Sequence, residues 1–573
     1  MRKSNFITFT GIWIYPLACL FCWVLMIGIN DTFAVSRELY LFIIFGVPII
    51  FPIVVTTTNM QRKQRGQTDF SFSTVYKVGQ NDPKSSKAYL KAAYPEVPQQ
   101  FAYKVPEGLC LGTYKGKYAC CPLVSDGLNA TIFGSPGSGK SALLMAWIYS
   151  LHHRKEIAER AHTKLTGRPW NFFMVDVKGE LYQRTLHITE KEYSVQKHKE
   201  LVVVQPSNRE SWGWDVFYRL KKPNLAETEY IKAITDIADA LIIANADDNY
   251  FAPNARKILE GLLYYGAKSG KDFVTIIQEV MRSNLNLLIE EVVADAEARE
   301  MGIVLDKLKS FLGKDDNESV ADIQTTLQTQ LSVFSYPDII YALQTNENKA
   351  SPAVLDDGIT NLDLAIEESL LLTYQPIFRL LTIQILRHCE SDFKETDDRY
   401  TCLIWDEAAR IGRVSGLEAA LATLRSRHTA VLMLLQSPKQ LEDVYGREKA
   451  QVILELCELK LFLSGSGSKE STEVVSSMAG EYSNTQTSYK RKGIMGGRSD
   501  SNFSHEWRPI VDSQTMMSLR QRNELIAFCY GKYMRLQKIR YWEDKYLAPV
   551  VKAREAKIRQ QAQAEPEPNN TEE

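Results

Sequence analysis

Two long apolar runs open the chain, at residues 6–29 and 39–55, and each is close to the ~20 residues that a bilayer-spanning helix requires. Cations flank the pair, whereas the segment between the runs carries only Arg37. The flanking cations are Arg2, Lys3, Arg62, Lys63 and Arg65. Because positive charge stays on the cytoplasmic side, residues 1–65 are predicted to form a two-helix transmembrane hairpin with both termini cytoplasmic. A signal peptide is the alternative, but the first run lacks a small-residue cleavage site.

Beyond residue 65, short apolar runs typical of buried strands alternate with helical segments. The strand-like runs lie at residues 127–133, 171–175, 201–204, 362–366, 400–405 and 430–436. Helical segments include residues 142–149 and 376–388. This alternation predicts an α/β fold with a doubly wound sheet of RecA type, in which a ligand lies at the carboxyl ends of the strands.

The strand pattern disappears between residues 223 and 351, where Ile231, Ile234, Ile237 and Leu241 recur at helical spacing. We therefore predict an all-helical domain inserted into the α/β domain. The predicted divisions are a hairpin with a basic juxtamembrane segment (1–65), the two parts of the nucleotide-binding domain (66–222 and 352–550), the helical insertion (223–351) and an acidic, disordered tail (551–573).

Overall charge and cysteine content change this picture little. The chain has 573 residues, with 68 Lys and Arg against 69 Asp and Glu, so no strong overall field favours a polyanionic partner. The nine cysteines are scattered and match neither a disulfide framework nor paired zinc ligands. They indicate a reducing compartment and buried thiols.

A phosphate-binding loop follows the first of these strands. Residues 134–141 read GSPGSGKS, between a strand-like run and a helical one, as in a P-loop. The predicted nucleotide-binding residues are Gly134, Ser135, Pro136, Gly137, Ser138, Gly139, Lys140 and Ser141. The glycines let main-chain N–H groups surround a phosphate, Lys140 reaches the β- and γ-phosphates, and the Ser141 hydroxyl binds Mg²⁺. The expected cofactors are ATP and Mg²⁺.

Two carboxylates end the strand-like run at residues 400–405. Asp406 is predicted to hold Mg²⁺, and Glu407 is predicted to activate the attacking water as a general base, which favours hydrolysis over mere binding. Gln436 ends the next strand and is a candidate sensor of the γ-phosphate; a solvated strand end is its other interpretation.

Two further features have two interpretations each. Arg425 and Arg427 precede the strand that ends at Gln436, and in a ring either one is placed to act as an arginine finger on a neighbouring subunit; ordinary surface arginines are equally compatible. Residues 483–504 are polar, glycine-rich and basic in the middle. They predict a solvated loop, or a loop that contacts DNA or faces a pore.

Taken together, these motifs resemble the type IV coupling proteins of the TraG/TraD kind. The similar segments, besides the hairpin and the P-loop, are residues 176–181 (DVKGEL), 406–412 (DEAARIG), 436–441 (QSPKQL) and 538–544 (KIRYWED). Two positions depart from that family, which usually has Pro at Val177 and an aromatic residue at Ala408. The external segment between the two apolar runs is also short.

The resemblance implies a hexameric RecA-like ATPase in the bacterial inner membrane, whose helical domain recognises substrate. Lys140, Ser141, Asp406, Glu407 and Gln436 match the nucleotide-site positions of that family. The implied partners are the components of a type IV secretion channel, and a relaxase bound to single-stranded DNA, effector proteins, or both. Two alternatives stay open: an FtsK-like DNA translocase, and a substrate receptor that binds nucleotide without turning it over.

Overall fold

The computed structural model describes residues 87–553 and residue 556, apart from segments 122–127, 164–169, 182–200, 245–249, 313–316, 392–399, 465–467 and 490–500 and positions 178, 180 and 359. The predicted membrane hairpin and most of the predicted acidic tail lie outside the described residues. The chain divides into two compact units, of which residues 87–484 and 505–573 form the larger. The smaller comprises residues 1–86 and 485–504.

Sixteen strands occur among the described residues. They are β1 Ala102–Tyr103, β2 Leu109–Tyr114, β3 Lys117–Cys121, β4 Ala130–Phe133, β5 Asn171–Asp176, β6 Leu201–Val204, β7 Gly213–Trp214, β8 Lys349–Ala350, β9 Asn361–Ala365, β10 Thr401–Trp405, β11 Thr429–Leu435, β12 Leu459–Phe462, β13 Glu481–Tyr489, β14 Ser501–Pro509, β15 Glu524–Cys529 and β16 Lys532–Gln537. Twelve of them form one sheet in the order β1-β3-β2-β16-β15-β12-β4-β11-β10-β5-β9-β6.

The half of this sheet from β12 to β6 is parallel and contains every predicted strand. Strand β4 lies between β11 and β12, and β10 lies between β11 and β5, all in parallel register. These strands are apolar runs buried on both faces, as expected for a parallel sheet covered by helices. The carboxyl ends of β4, β10 and β11 therefore lie at one edge of the sheet.

The other half of the sheet is antiparallel and was not predicted. Strand β12 pairs antiparallel with β15, β15 with β16, and β2 with β3. Both hairpins turn through two residues of positive φ, at Lys115 and Gly116 (49° and 79°) and at Tyr530 and Gly531 (48° and 71°). Such turns match the twist of the strands and favour glycine at the second position. The sheet is thus mixed, and an X-Gly pair between apolar runs was the signal that sequence analysis missed.

Sixteen α-helices occur among the described residues. They are α1 Lys87–Ala93, α2 Lys140–His152, α3 Arg154–Arg160, α4 Glu227–Leu241, α5 Phe251–Lys268, α6 Phe273–Arg282, α7 Leu285–Ala298, α8 Gly302–Leu308, α9 Asn317–Leu331, α10 Pro337–Ile340, α11 Leu371–Ser391, α12 Leu417–Leu424, α13 Pro438–Tyr445, α14 Arg447–Glu455, α15 Lys469–Ala479 and α16 Ser513–Arg522.

Helices α4–α10 occupy the region that the sequence predicts to be all-helical. Strands β7 and β8 stand on either side of it and pair in parallel, so the chain leaves and re-enters the α/β fold at one place. The apolar faces of these helices continue into the core on one face of the sheet. The domain boundaries at residues 223 and 351 stay a prediction.

Two apolar cores cover the two faces of the large sheet. One contains the helical region and α11, and the other is built around α2. Among the described residues, one helical stretch, Glu368–Ser391, is long and apolar enough to span a membrane, and 67% of its apolar window is buried inside the fold. Since a core helix has the same length and composition, this stretch is explained by its place against the sheet.

The predicted solvated loop at residues 483–504 differs in the structure. Strands β13 and β14 pair into a separate two-stranded sheet, so both ends of this segment are extended. Alternating threonine, serine and aromatic residues, as in TQTSY at residues 485–489, favour strands despite their polarity. The basic centre of the segment, residues 490–500, lies outside the described residues.

Candidate nucleotide site

The P-loop joins the carboxyl end of β4 to the start of α2. Gly137 and Gly139 have φ values of 72° and 98°, which side chains other than glycine rarely adopt. Gly134 is required for another reason, because a Cβ there would lie 2.3 Å from Ser138 Oγ and 3.1 Å from Leu463 Cβ. The loop is thus closed on one side and presents its main chain on the other.

Lys140 lies inside this loop with only 8% of its surface exposed. Its Nζ donates a hydrogen bond to the Gly134 carbonyl oxygen at 2.8 Å. The same Nζ lies 3.3 Å from Glu407 Oε1, at the end of a strand more than 250 positions away in sequence. The convergence of Lys140 and Glu407 expected from the sequence is therefore present.

Glu407 stands two residues after the end of β10, with φ 50° and ψ 51°. A non-glycine residue in the left-handed region costs of order 1 kcal/mol or more, and such residues cluster at functional sites. Gln436, directly after β11, donates from Nε2 to Glu407 Oε2 at 3.2 Å. Lys140 and Gln436 thus hold one oxygen each of the same carboxylate, and this fixes its plane.

Ser141 and Asp406, the predicted Mg²⁺ ligands, line the same cleft as these residues. The cleft is lined by Ser135, Pro136, Gly137, Gly139, Lys140, Ser141, Ala142, Val177, Leu181, Glu368, Asp406, Glu407, Arg410 and Gln436. The main-chain N–H of Asp406 donates to the Val175 carbonyl oxygen at 3.0 Å, which holds Asp406 beside the end of β5.

These residues fit Mg²⁺ bound together with a nucleotide. No group of three or more His, Cys, Asp or Glu side chains able to hold a metal occurs within the described ranges. Mg²⁺ is commonly bound by one or two protein oxygens, with water and substrate phosphates completing the octahedron. The Ser141 hydroxyl and the Asp406 carboxylate supply oxygens of this kind, beside main-chain amides suited to phosphate.

Arg425 and Arg427 do not reach this cleft within one chain. They precede β11, whereas the P-loop, Glu407 and Gln436 follow the carboxyl ends of their strands. The seven residues of β11 place the two ends about 23 Å apart. Arg425 Nη1 forms an ion pair with Glu458 Oε1 at 2.9 Å instead. Any action of these arginines on a nucleotide therefore requires a second copy of the chain.

Three residues near the site were missed by sequence analysis. The cleft is also lined by Glu368, just before α11, and by Arg410, three residues after Glu407. Lys538, at the end of β16, contacts the P-loop from behind. Arg410 and Lys538 lie in segments that resemble the coupling-protein family, and this resemblance was the signal that could have identified them. No sequence feature identified Glu368.

The family model described as type IV secretory system conjugative DNA transfer matches residues 169–568, well over half of the chain. This range includes Asp406, Glu407 and Gln436 and begins after the P-loop. The chain belongs to this family.

Curated proteins similar to this chain include Protein VirD4 of Rhizobium rhizogenes, 24% identical over 177 residues, which are 30% of this chain and 26% of that protein. The type IV secretion system-coupling protein VirD4 of Bartonella quintana is 21% identical over 359 residues, which are 58% of this chain and 53% of that protein. The match thus spans about a quarter to a half of the length of these relatives.

Solved structures of the conjugative coupling protein TrwB share the fold. The form in complex with sulphate has a TM-score of 0.57 at 17% identity, covering 77% of this chain and 91% of that one. The complex of TrwB with ADP and Mg²⁺ has a TM-score of 0.56 at 17% identity, covering 78% of this chain and 90% of that one. At this identity the likeness establishes a TrwB-like α/β fold for this family member.

Proposed function

We propose that this chain is an ATP-hydrolysing coupling protein that recruits substrate to a type IV secretion channel and drives its transfer. The observation that carries the proposal is the meeting of three side chains in one cleft: Lys140 Nζ lies 3.3 Å from Glu407 Oε1, and Gln436 Nε2 lies 3.2 Å from Glu407 Oε2. TrwB in complex with an ATP analogue, and with ADP and Mg²⁺, supports nucleotide and Mg²⁺ as the ligands of this cleft.

Each of these three side chains has a role that its surroundings allow. Lys140 shares its ammonium between a main-chain carbonyl and Glu407, and it turns to the phosphates when they enter the loop. Glu407 is then held by Gln436 alone, with one oxygen free to accept a proton from water. Mg²⁺, when bound, neutralises charge on the β- and γ-phosphates.

The setting of this ATPase belongs to the same proposal. Residues 1–65 anchor it in the bacterial inner membrane as a two-helix hairpin with both termini cytoplasmic, an inference from their apolar runs and flanking cations. It works as a homo-hexamer docked on channel components. Its cargo is relaxase-bound single-stranded DNA, effector proteins, or both, and the helical region recognises it.

Hydrolysis by the purified full-length chain tests the enzymatic part of this proposal. We expect Lys140→Ala to lose ATP binding, because the loop loses its only inward ammonium among the described residues. Glu407→Gln should still bind ATP and hydrolyse it about 100-fold more slowly, since a missing general base typically costs 10²–10⁴-fold. Lys439→Ala is the matched control, because Lys439 is exposed and pairs with Glu442.

Rates are measured with and without single-stranded DNA, and substrate transfer from cells is measured in parallel. Transfer at the normal frequency in cells carrying only Lys140→Ala would contradict a motor. Wild-type chain that binds ATP and never turns it over, under either condition, would identify a nucleotide-binding substrate receptor instead.

A further inference from the structure

Lys538 connects the antiparallel half of the sheet to the P-loop. It follows β16, and its main-chain N–H donates to the Asn523 carbonyl oxygen at 2.8 Å. Its Nζ donates to the main-chain carbonyl oxygen of Ser138 at 2.8 Å and lies 2.9 Å from Ser464 Oγ. A residue 400 positions away in sequence therefore holds the back of the phosphate-binding loop.

The surroundings of this ammonium are unusual for a lysine. Both of its hydrogen-bond acceptors are neutral, and it forms no ion pair with a carboxylate in the part of the chain that the structure describes. Burial, together with the nearby Arg520 guanidinium, lowers the pKa of Lys538 to about 8. Arg520 itself reaches over the loop, with Nη2 3.9 Å from the place that a Cβ on Gly137 would occupy. Positive charge is thus concentrated at a place where the described residues supply no counter-ion.

The contact to Ser138 determines the direction of a P-loop amide. The Ser138 carbonyl and the Gly139 N–H belong to one planar trans peptide group, so they point in opposite directions. A hydrogen bond that fixes the carbonyl toward Lys538 therefore fixes the N–H away from Lys538. Gly139, at φ 98°, has no side chain to limit this peptide otherwise. Loss of Lys538 removes the side-chain hydrogen bond that restrains this carbonyl.

We propose that Lys538 is a positioning residue of the nucleotide site, which holds the Ser138–Gly139 peptide so that its N–H is directed at a bound phosphate. The inference rests on the proposed nucleotide binding, and it adds a residue that the P-loop motif does not contain. A preoriented amide raises affinity because the loop loses less conformational freedom when the ligand binds.

The test measures the dissociation constant of a fluorescent ATP analogue, mant-ATP with Mg²⁺, for the full-length chain at pH 7. Lys538→Met should weaken binding about tenfold, since a hydrogen bond from a charged group is lost. Lys538→Arg keeps a cationic donor and should stay within about threefold of wild type. Lys532→Met is the matched control, because Lys532 is an exposed lysine at the start of the strand that precedes Lys538, and it should bind as wild type does.

Unfolding temperatures without nucleotide separate positioning from simple stabilisation. If Lys538 only stabilised the fold, Lys538→Met would lower the unfolding temperature and leave the affinity of the remaining folded protein unchanged; this outcome overturns the proposal. Wild-type affinity in Lys538→Met also overturns it. Lys140→Ala is included so that the two proposals fail separately: if Lys140→Ala also binds normally, the nucleotide site itself is wrong.

The pH dependence of nucleotide affinity distinguishes a positioning role of Lys538 from a purely structural one. The charged groups on the surrounding elements are Lys140, Glu524 and Arg520; Glu407 holds Lys140, and Arg535 holds Glu524. Burial lowers the pKa of Lys538 most, and Arg520 is the charged group that lowers it further. Wild-type affinity should fall as pH rises through about 8, whereas Lys538→Arg stays flat. Arg520→Ala should move the fall to higher pH, and identical profiles for all three proteins would contradict the proposal.

Discussion

The Asp363 carboxyl group is buried with neither of its oxygens hydrogen-bonded among the described residues. It lies on β9 opposite Met174 of β5 and Val203 of β6. Burial, and then the charge of Asp176, raise the pKa of Asp363 well above its usual value. This environment therefore favours the protonated form of Asp363 in the folded protein.

Asp363→Asn should stabilise the protein at neutral pH. A raised folded-state pKa means that the unfolded chain, with a pKa of ~4, gains by ionising as pH rises, so wild-type stability falls above that pH. The amide does not titrate, so the variant should gain about 1–3 kcal/mol of unfolding free energy at pH 7 and nothing at pH 4. Denaturant unfolding at both pH values measures this; Asp322→Asn, an exposed control, should show no such difference. Equal gains at both pH values would mean that ionisation is not the cause.

Individual site residues were predictable where one local motif carries their chemistry. Lys140 and Ser141 follow a glycine pattern, and Glu407 and Gln436 end apolar runs, so each was located without knowledge of the fold. Lys538 was not, because its role depends on a contact between segments 400 positions apart. The left-handed backbone of Glu407 was likewise invisible, since no residue type at that position signals it.

At the scale of elements, the parallel half of the sheet was predictable because its strands are buried on both faces and appear as continuous apolar runs. Strand β16 has exposed residues at both ends, and β2 and β3 flank a two-residue turn, so their apolar runs are short and interrupted by polar residues. The antiparallel half nevertheless contributes to the site, since Lys538, directly after β16, contacts the P-loop.

Gly531→Ala should destabilise the β15–β16 hairpin through backbone strain alone. Gly531 has a φ of 71°, and a Cβ there would meet nothing within 4 Å, so no clash contributes. The expected loss is about 1 kcal/mol of unfolding free energy. Gly302→Ala is the control, because Gly302 starts helix α8 at ordinary φ and its Cβ position is also open. Denaturant unfolding of both variants gives the values. A loss of the same size in Gly302→Ala would remove the argument from φ.

At the scale of the whole molecule, the nucleotide cleft and the two candidate arginine fingers lie at opposite edges of the sheet. Arg427 is exposed just before β11, and the P-loop lies past the far end of the neighbouring β4. Neither arginine therefore reaches the nucleotide cleft of its own chain. For either arginine to act in a ring, two edges of the sheet have to face each other across the interface. They are the edge at the amino ends of the parallel strands in one subunit and the edge at the carboxyl ends in the next subunit.

The arginine-finger interpretation, combined with this geometry, predicts complementation between inactive subunits. On that interpretation Lys140→Ala lacks a working P-loop and Arg427→Ala lacks the finger, so each alone should be inactive. A mixed ring contains interfaces that join an intact P-loop to an intact Arg427, so an equal mixture should recover part of the ATPase rate, up to about a quarter of wild type if subunits mix randomly. Arg425→Ala is tested in the same way, and Arg282→Ala, on helix α6, should keep full activity alone. Because recovery requires that both edges belong to one interface, a mixture as inactive as its components, formed from rings shown to exchange subunits, would mean that neither arginine acts between subunits.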